Sequence, residues 1–126
     1  MDPEASVPLK EGPVAQAKLV HSDDISWTKN PKYVDTWFRR LVTSDNLSTS
    51  LIRIEPGGGQ VPHVHPNDIE EVTYVLEGEG DVLISGVRHK CAPGDCLYVG
   101  PGLEHLVKNA GPGRLWLLTT FHPPLP

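Results

Sequence analysis

The stretch Gly57-Gly58-Gly59-Gln60-Val61-Pro62-His63-Val64-His65-Pro66-Asn67-Asp68-Ile69-Glu70-Glu71 carries the most information in this chain. Its two imidazoles stand at i and i+2. On a β-strand that spacing sends both side chains to one face, so His63 and His65 can reach one ion from a single strand. A carboxylate, Glu70 or Glu71, opens the next apolar run, and a third imidazole, His105, opens a later one. Three imidazoles and one carboxylate form a nitrogen and oxygen donor set for a borderline or harder divalent ion, with room for two more ligands in an octahedral geometry. His-x-His alone is ordinary surface alternation in a β protein; the added carboxylate and third His make it a candidate site.

Outward from this stretch the chain consists of short β-rich runs punctuated by turns. Its 12 Gly and 13 Pro fall between those runs, as in an all-β sandwich or barrel, and leave little room for helix. Residues 33–43 (YVDTWFRRLVT) are β-branched and aromatic, and 47–54 (LSTSLIRI) alternate polar with apolar before stopping at Glu55-Pro56-Gly57-Gly58-Gly59. Runs 71–77 (EVTYVLE) and 81–85 (DVLIS) flank Gly78-Glu79-Gly80, which predicts a hairpin. Further strands are predicted at 87–90, 96–99, 105–108 and 115–121. Such a series of short strands suits a small barrel or jelly roll. Residues 1–20, interrupted by Pro3, Pro8 and Pro13, read as an extended arm or edge strand ahead of one barrel domain over 21–126.

Leu, Ile, Val and Phe supply 34 of the 126 residues, above the level of about 20% below which disorder is expected. A domain of this size buries roughly two-thirds of its unfolded surface, so its core needs no metal or disulfide staple. Sixteen acidic against eleven basic residues give a net charge of −5, with the basic residues scattered, which argues against a nucleic-acid partner. No apolar run approaches the ~18 residues of a membrane span, and residues 1–12 lack the basic start and apolar centre of a signal peptide. The expectation is a soluble cytoplasmic protein with no membrane partner. Cys91 and Cys96 are too few for a secreted disulfide framework and lack paired C-x-x-C spacing. They read as two small buried or half-buried thiols, although a bridge across Ala92-Pro93-Gly94-Asp95 is geometrically conceivable. Dinucleotide fingerprints, phosphate loops, His-Glu-x-x-His and nucleophile elbows are not found.

Across residues 57–109 the chain resembles the cupin superfamily. The first cupin motif is Gly, five residues, His-x-His, three or four residues, Glu, six residues, Gly. Gly57, His63, His65, Glu71 and Gly78 follow it, except that five residues separate His65 from Glu71. Glu70 would repair that gap and spoil the next, and because the run Tyr74-Val75-Leu76-Glu77-Gly78 pins the strand register, Glu71 is preferred. The second motif maps to Gly94, Gly100-Pro101-Gly102, His105 and Asn109, with Gly100 where Pro is usual.

The resemblance implies a jelly-roll β-barrel (double-stranded β-helix) holding one divalent transition metal ion, Fe, Mn, Ni, Zn or Co, on His63, His65, Glu71 and His105. With all four ligand positions filled, the chain is unlike the cupins that have lost the metal. The strands of such a barrel would carry Arg39, Arg53, Trp37, Tyr98 and Phe121 to its cavity. There Arg39 and Arg53, beside Trp37, would bind substrate by clamping a carboxylate or phosphate. Glu70, Tyr98, His89 and Glu104 are the candidate acid/base groups. The expected activity is Lewis-acid isomerase or lyase chemistry on a small oxygen-rich molecule chelated to the ion. The alternatives are an Fe(II)-dependent dioxygenase and a non-catalytic module anchoring a small anion or sugar. Uncovered sheet edges and the Pro-rich arm lead to the expectation of a homodimer.

Overall fold

Alternation of apolar and polar side chains becomes strand along most of the chain in the computed structural model, which describes residues 17–66 and 68–125. The arm expected over 1–20 lies outside the described residues up to position 16, and residues 17–20 have no regular structure. A 3-10 turn, Ser22–Asp24, is followed by β1 (Thr28–Lys29), β2 (Val34–Thr43), β3 (Ser48–Gly59), β4 (Glu70–Glu77), β5 (Gly80–Ile84), β6 (Val87–Cys91), β7 (Cys96–Val99), β8 (His105–Asn109) and β9 (Leu115–His122). They form one antiparallel sheet in the order β6-β5-β8-β3-β9-β4-β7, with β2 on β3 and β1 on β2. The sheet curls on itself, which gives the expected all-β jelly roll.

Register lines the inner face in rows that change character along the barrel. Ile54 faces Leu115; Ile52, Leu117 and Val75 form the next row; Ser50, Thr119 and Thr73 the next; Ser48, Phe121 and Glu71 the last. The apolar rows, with Val82 and Val107, make the core at one end. Each such buried Leu or Ile contributes roughly 1.5–3 kcal/mol. The polar rows leave Thr73, Thr119, Ser50 and Glu71 buried at the other end, where they need partners.

Two expectations about turns are corrected. The runs before and after Gly78-Glu79-Gly80 are not a hairpin: β4 pairs with β7 and β9, while β5 pairs with β6 and β8. Gly78, at φ 89, carries the chain across the barrel end, and a Cβ there would run into the Arg114 carbonyl oxygen at the start of β9. The tight hairpin is instead β5–β6, whose two turn residues Ser85 and Gly86 both have positive φ (48 and 82), the type I′ pattern. Likewise β3 does not stop at Glu55. It continues through the glycines, where Gly59 pairs with both Val34 and Lys108.

The outer face of β2 and β3 is covered by the chain before β2. Trp27 lies over the guanidinium groups of Arg39 and Arg53, 4.2 and 4.5 Å from its ring centre, and meets Trp116 edge-on at 5.5 Å. Both faces of β2 are therefore partly buried. No helix among the described residues is long and apolar enough to cross a membrane.

Candidate metal centre

His63 and His105 are brought together by backbone pairing. Each amide donates to the other's carbonyl, at 3.1 and 3.0 Å, so the two imidazoles leave the sheet on the same side with ring centres 4.3 Å apart. His65, two residues on, joins them, and the ligand nitrogens of all three lie within 4.8 Å of one another. Glu71 enters from β4, where its odd position turns it inward with Thr73 and Val75. Its Oε1 is 2.9 Å from His65 Nε2 and 3.1 Å from His105 Nε2, and those two nitrogens are 3.1 Å apart.

The tautomers are set by backbone carbonyls. His63 Nδ1 donates to the Val61 oxygen at 2.7 Å and His105 Nδ1 to the Leu103 oxygen at 2.9 Å, which leaves each Nε2 to face the centre. Thr73 donates to Glu71 Oε2 at 2.8 Å, which frees Oε1 for the centre, and Thr119 donates to Thr73 at 2.9 Å. Phe121 meets the His65 ring edge-on at 4.9 Å and walls off one side. Two ring nitrogens and a carboxylate oxygen facing each other across about 3 Å require a positive charge between them, a proton or a cation. Donor atoms ~2.1 Å from one ion and at right angles around it stand about 3.0 Å apart, so the residues fit a divalent ion.

Electrostatics point the same way. Burial alone would raise Glu71, but hydrogen bonds from His105 and His65, the charge of His105 and the Thr73 hydroxyl together hold it down at about 2. Burial lowers His105, yet the Glu71 carboxylate beside it gives a net rise. Burial lowers His63, helped by the charges of His105 and His65, so its nitrogen lone pair is available near neutrality.

A model of the cupin domain matches residues 50–121. The chain belongs to the cupin family. It is 38% identical over 89 residues to germin-like protein subfamily 2 member 2 of Arabidopsis thaliana, a match covering 65% of this chain and 40% of that protein. This cupin spans about half the length of the curated plant relatives it matches. Among solved structures, KdgF from Halomonas sp. superimposes with a TM-score of 0.76 at 17% identity, covering 86% of this cupin and 94% of that chain. The polyketide cyclase RemF from Streptomyces resistomycificus superimposes with a TM-score of 0.76 at 23% identity, covering 88% and 82%. At these identities the likeness is one of fold.

The cavity beside the imidazoles measures about 620 Å³, within the range of small-molecule sites, and Tyr33, Phe38, Arg40, Gln60 and Phe121 are among its walls. Several expected site residues are not there. Arg39, Arg53 and Trp37 lie on the opposite face of β2 and β3: Arg39 is 3.3 Å from Asp23, Arg53 3.1 Å from Glu55, and Arg53 lies 5.5 Å over the Trp37 ring. Of the expected acid/base groups, Glu70 points outward and accepts from the Tyr98 hydroxyl at 2.7 Å, on an exposed patch shared with His122 at 3.7 Å. Glu104 precedes inward His105, so alternation turns it to solvent. His89, on edge strand β6, lines a separate cavity of about 330 Å³ with Cys91 and Lys90. None of these four lines the cavity beside the imidazoles.

Tyr33, Phe38, Arg40 and Gln60 are among the residues that line it and were missed. Burial raises Tyr33 to about 12, helped by the charge of Glu71, and its ring lies 5.4 Å from that of His63. For Phe38 and Arg40 the signal was present as the even parity of 33–43, shared with Thr36, while Tyr33 and Gln60 lie outside that alternation. It was unreadable because Trp27 hides the opposite face. Asn109 of the second motif serves the loop: its amide donates to the Ile54 and Gly113 carbonyls. Both cysteines are free thiols; Cys91 is half-buried as expected, whereas Cys96, on the edge strand β7, is exposed and not enclosed.

Proposed function

We propose that this cupin binds one divalent transition metal ion through His63, His65, Glu71 and His105, and uses it on a small oxygen-rich molecule that enters the adjoining cavity. The observation that carries this reading is the convergence of His65, His105 and Glu71 donor atoms at 2.9–3.1 Å, with His63 beside them. A bound ion would supply Lewis-acid polarisation of a ligand carbonyl or carboxylate oxygen. The chain does the rest. Val61 and Leu103 carbonyls hold two of the imidazoles in one tautomer, Thr73 orients Glu71, and Phe121 excludes water from the His65 side. Tyr33, kept as the neutral phenol, offers a proton donor at the cavity wall. The reaction class that matches these groups is a proton transfer within an isomerisation or a lyase step, without redox change. The partners that accompany this proposal are a small molecule and a second copy of the chain, with no nucleic acid.

Elemental analysis of the purified protein, beside the His63→Ala/His105→Ala double variant, tests the reading. Near one equivalent of manganese, nickel, cobalt or zinc, lost in the variant, is the expected result. Iron coupled to oxygen consumption would replace the proposed chemistry with oxidation. No metal in either protein after reloading would overturn the metal site.

A further inference from the structure

We infer that Arg40 is a specificity residue that grips a distal carboxylate of the ligand, so that this cupin takes a molecule with a chelating group at one end and a second anionic group at the other. The inference rests on the metal reading above and adds the ligand's charge and length. Register places Arg40 opposite Ser50, Ser50 opposite Thr119 and Thr119 opposite Thr73, one continuous row across β2, β3, β9 and β4. Thr73 is the residue that hydrogen-bonds Glu71. A polar track thus runs along the cavity wall from the guanidinium to the carboxylate of the imidazole cluster, above the apolar row of Ile52, Leu117 and Val75.

The charges in the cavity are unbalanced. Lys32 and Arg40, both solvent-exposed, line it, while the carboxylate of Glu71 is already engaged by His65, His105 and Thr73. Among the described residues neither Lys32 nor Arg40 has a carboxylate partner, whereas Arg39, Arg53 and Arg114 each have one, on Asp23 or Glu55. Arginine remains charged throughout the working pH range and matches a carboxylate with two parallel hydrogen bonds. Strands ~4.8 Å apart place the Arg40 backbone roughly 14 Å around the curled wall from that of Thr73, and less straight across. The arginine side chain bridges part of that span, and a ligand of a few carbons bridges the remainder.

The test compares two probes that chelate identically through a 2-oxo acid and differ only in a distal carboxylate, 2-oxoglutarate and 2-oxopentanoate. Binding to the zinc-loaded protein is measured by calorimetry and zinc content by elemental analysis. The expected result is at least tenfold tighter binding of 2-oxoglutarate by the wild type. In Arg40→Gln that margin collapses, with zinc content and 2-oxopentanoate affinity unchanged; Arg40→Lys keeps part of it. If zinc fails to load, the metal reading falls alone, and the margin is read on the metal-free protein. No binding of 2-oxoglutarate, equal affinities in the wild type, a margin that survives Arg40→Gln, or equal loss for both probes overturns the assignment.

Discussion

Glu71 holds opposite charges together inside a wall that is otherwise apolar on one side and hydroxyl-lined on the other. Its carboxyl is held at about 2 against an ordinary 4.5, so its contribution to stability is complete above about pH 4.5 and is lost as pH falls toward 2. His105 is raised above its ordinary 6.5, so its contribution is complete below 6.5 and is lost as pH rises through its folded value. The metal-free protein should draw most from this pair between about pH 4.5 and 6.5. Above that window His105 loses its proton, and added zinc should raise the melting temperature increasingly with pH, because metal and proton compete for its Nε2. Glu71→Gln should abolish the acid-side loss and lower zinc affinity at least tenfold; melting curves from pH 3 to 8, with and without zinc, check both. Thr73→Val, which removes the hydroxyl on Oε2, should cost about 1–3 kcal/mol. At this scale the motif spacing named the three imidazoles and preferred Glu71 without eliminating Glu70. The parity of β4 separates them, turning Glu70 to Tyr98.

Individual strands were legible where one face is buried and the other wet. β4 and β9 show this alternation, and their inward residues follow from sequence. β2 does not, because the segment carrying Trp27 lies on its outer face and makes Trp37 and Arg39 as enclosed as Phe38. The bulge between Arg40 and Val42 shifts the register further, so period-two reasoning fails across it. The hairpin expected at Gly78-Glu79-Gly80 failed for a related reason: a local turn signal does not say whether the chain folds back on its own strand or crosses to another. Trp27 is the clasp of this element. Trp27→Ala should destabilise the fold by about 2–3 kcal/mol, below a full core truncation since the ring is half-buried and stacked on two arginines. Urea denaturation measures the loss. Zinc content should remain that of the wild type, because the stack lies on the far side of the sheet from the imidazoles.

For the whole molecule, the open question of surface is where the barrel hides its remaining apolar side chains. Val72, Tyr74 and Leu76 on the outer face of β4 are 42–44% exposed, and Tyr98 on the adjacent β7 is 56% exposed. They form one patch beside a sheet edge, since β7 ends the strand order and has only four residues. An apolar patch and an unpaired edge on one side are the two features that a symmetric partner covers at once. The proposed homodimer is therefore expected to form there. It leaves the imidazole cavity free, because alternation sends Glu71 and Thr73 to the opposite face of the same strand. A stable pairing needs about 800 Å² from each copy, more than these four side chains expose, so the surrounding loops must take part. Light scattering at micromolar concentration should give twice the chain mass. Tyr74→Glu/Leu76→Glu should halve it, because two carboxylates placed in the centre of the patch cannot be buried against their own copies without large desolvation cost. Retained zinc content in that variant would show that the barrel itself is intact. A wild type that scatters as a single chain would remove the dimer, and a variant that stays dimeric would move the interface away from β4 and β7.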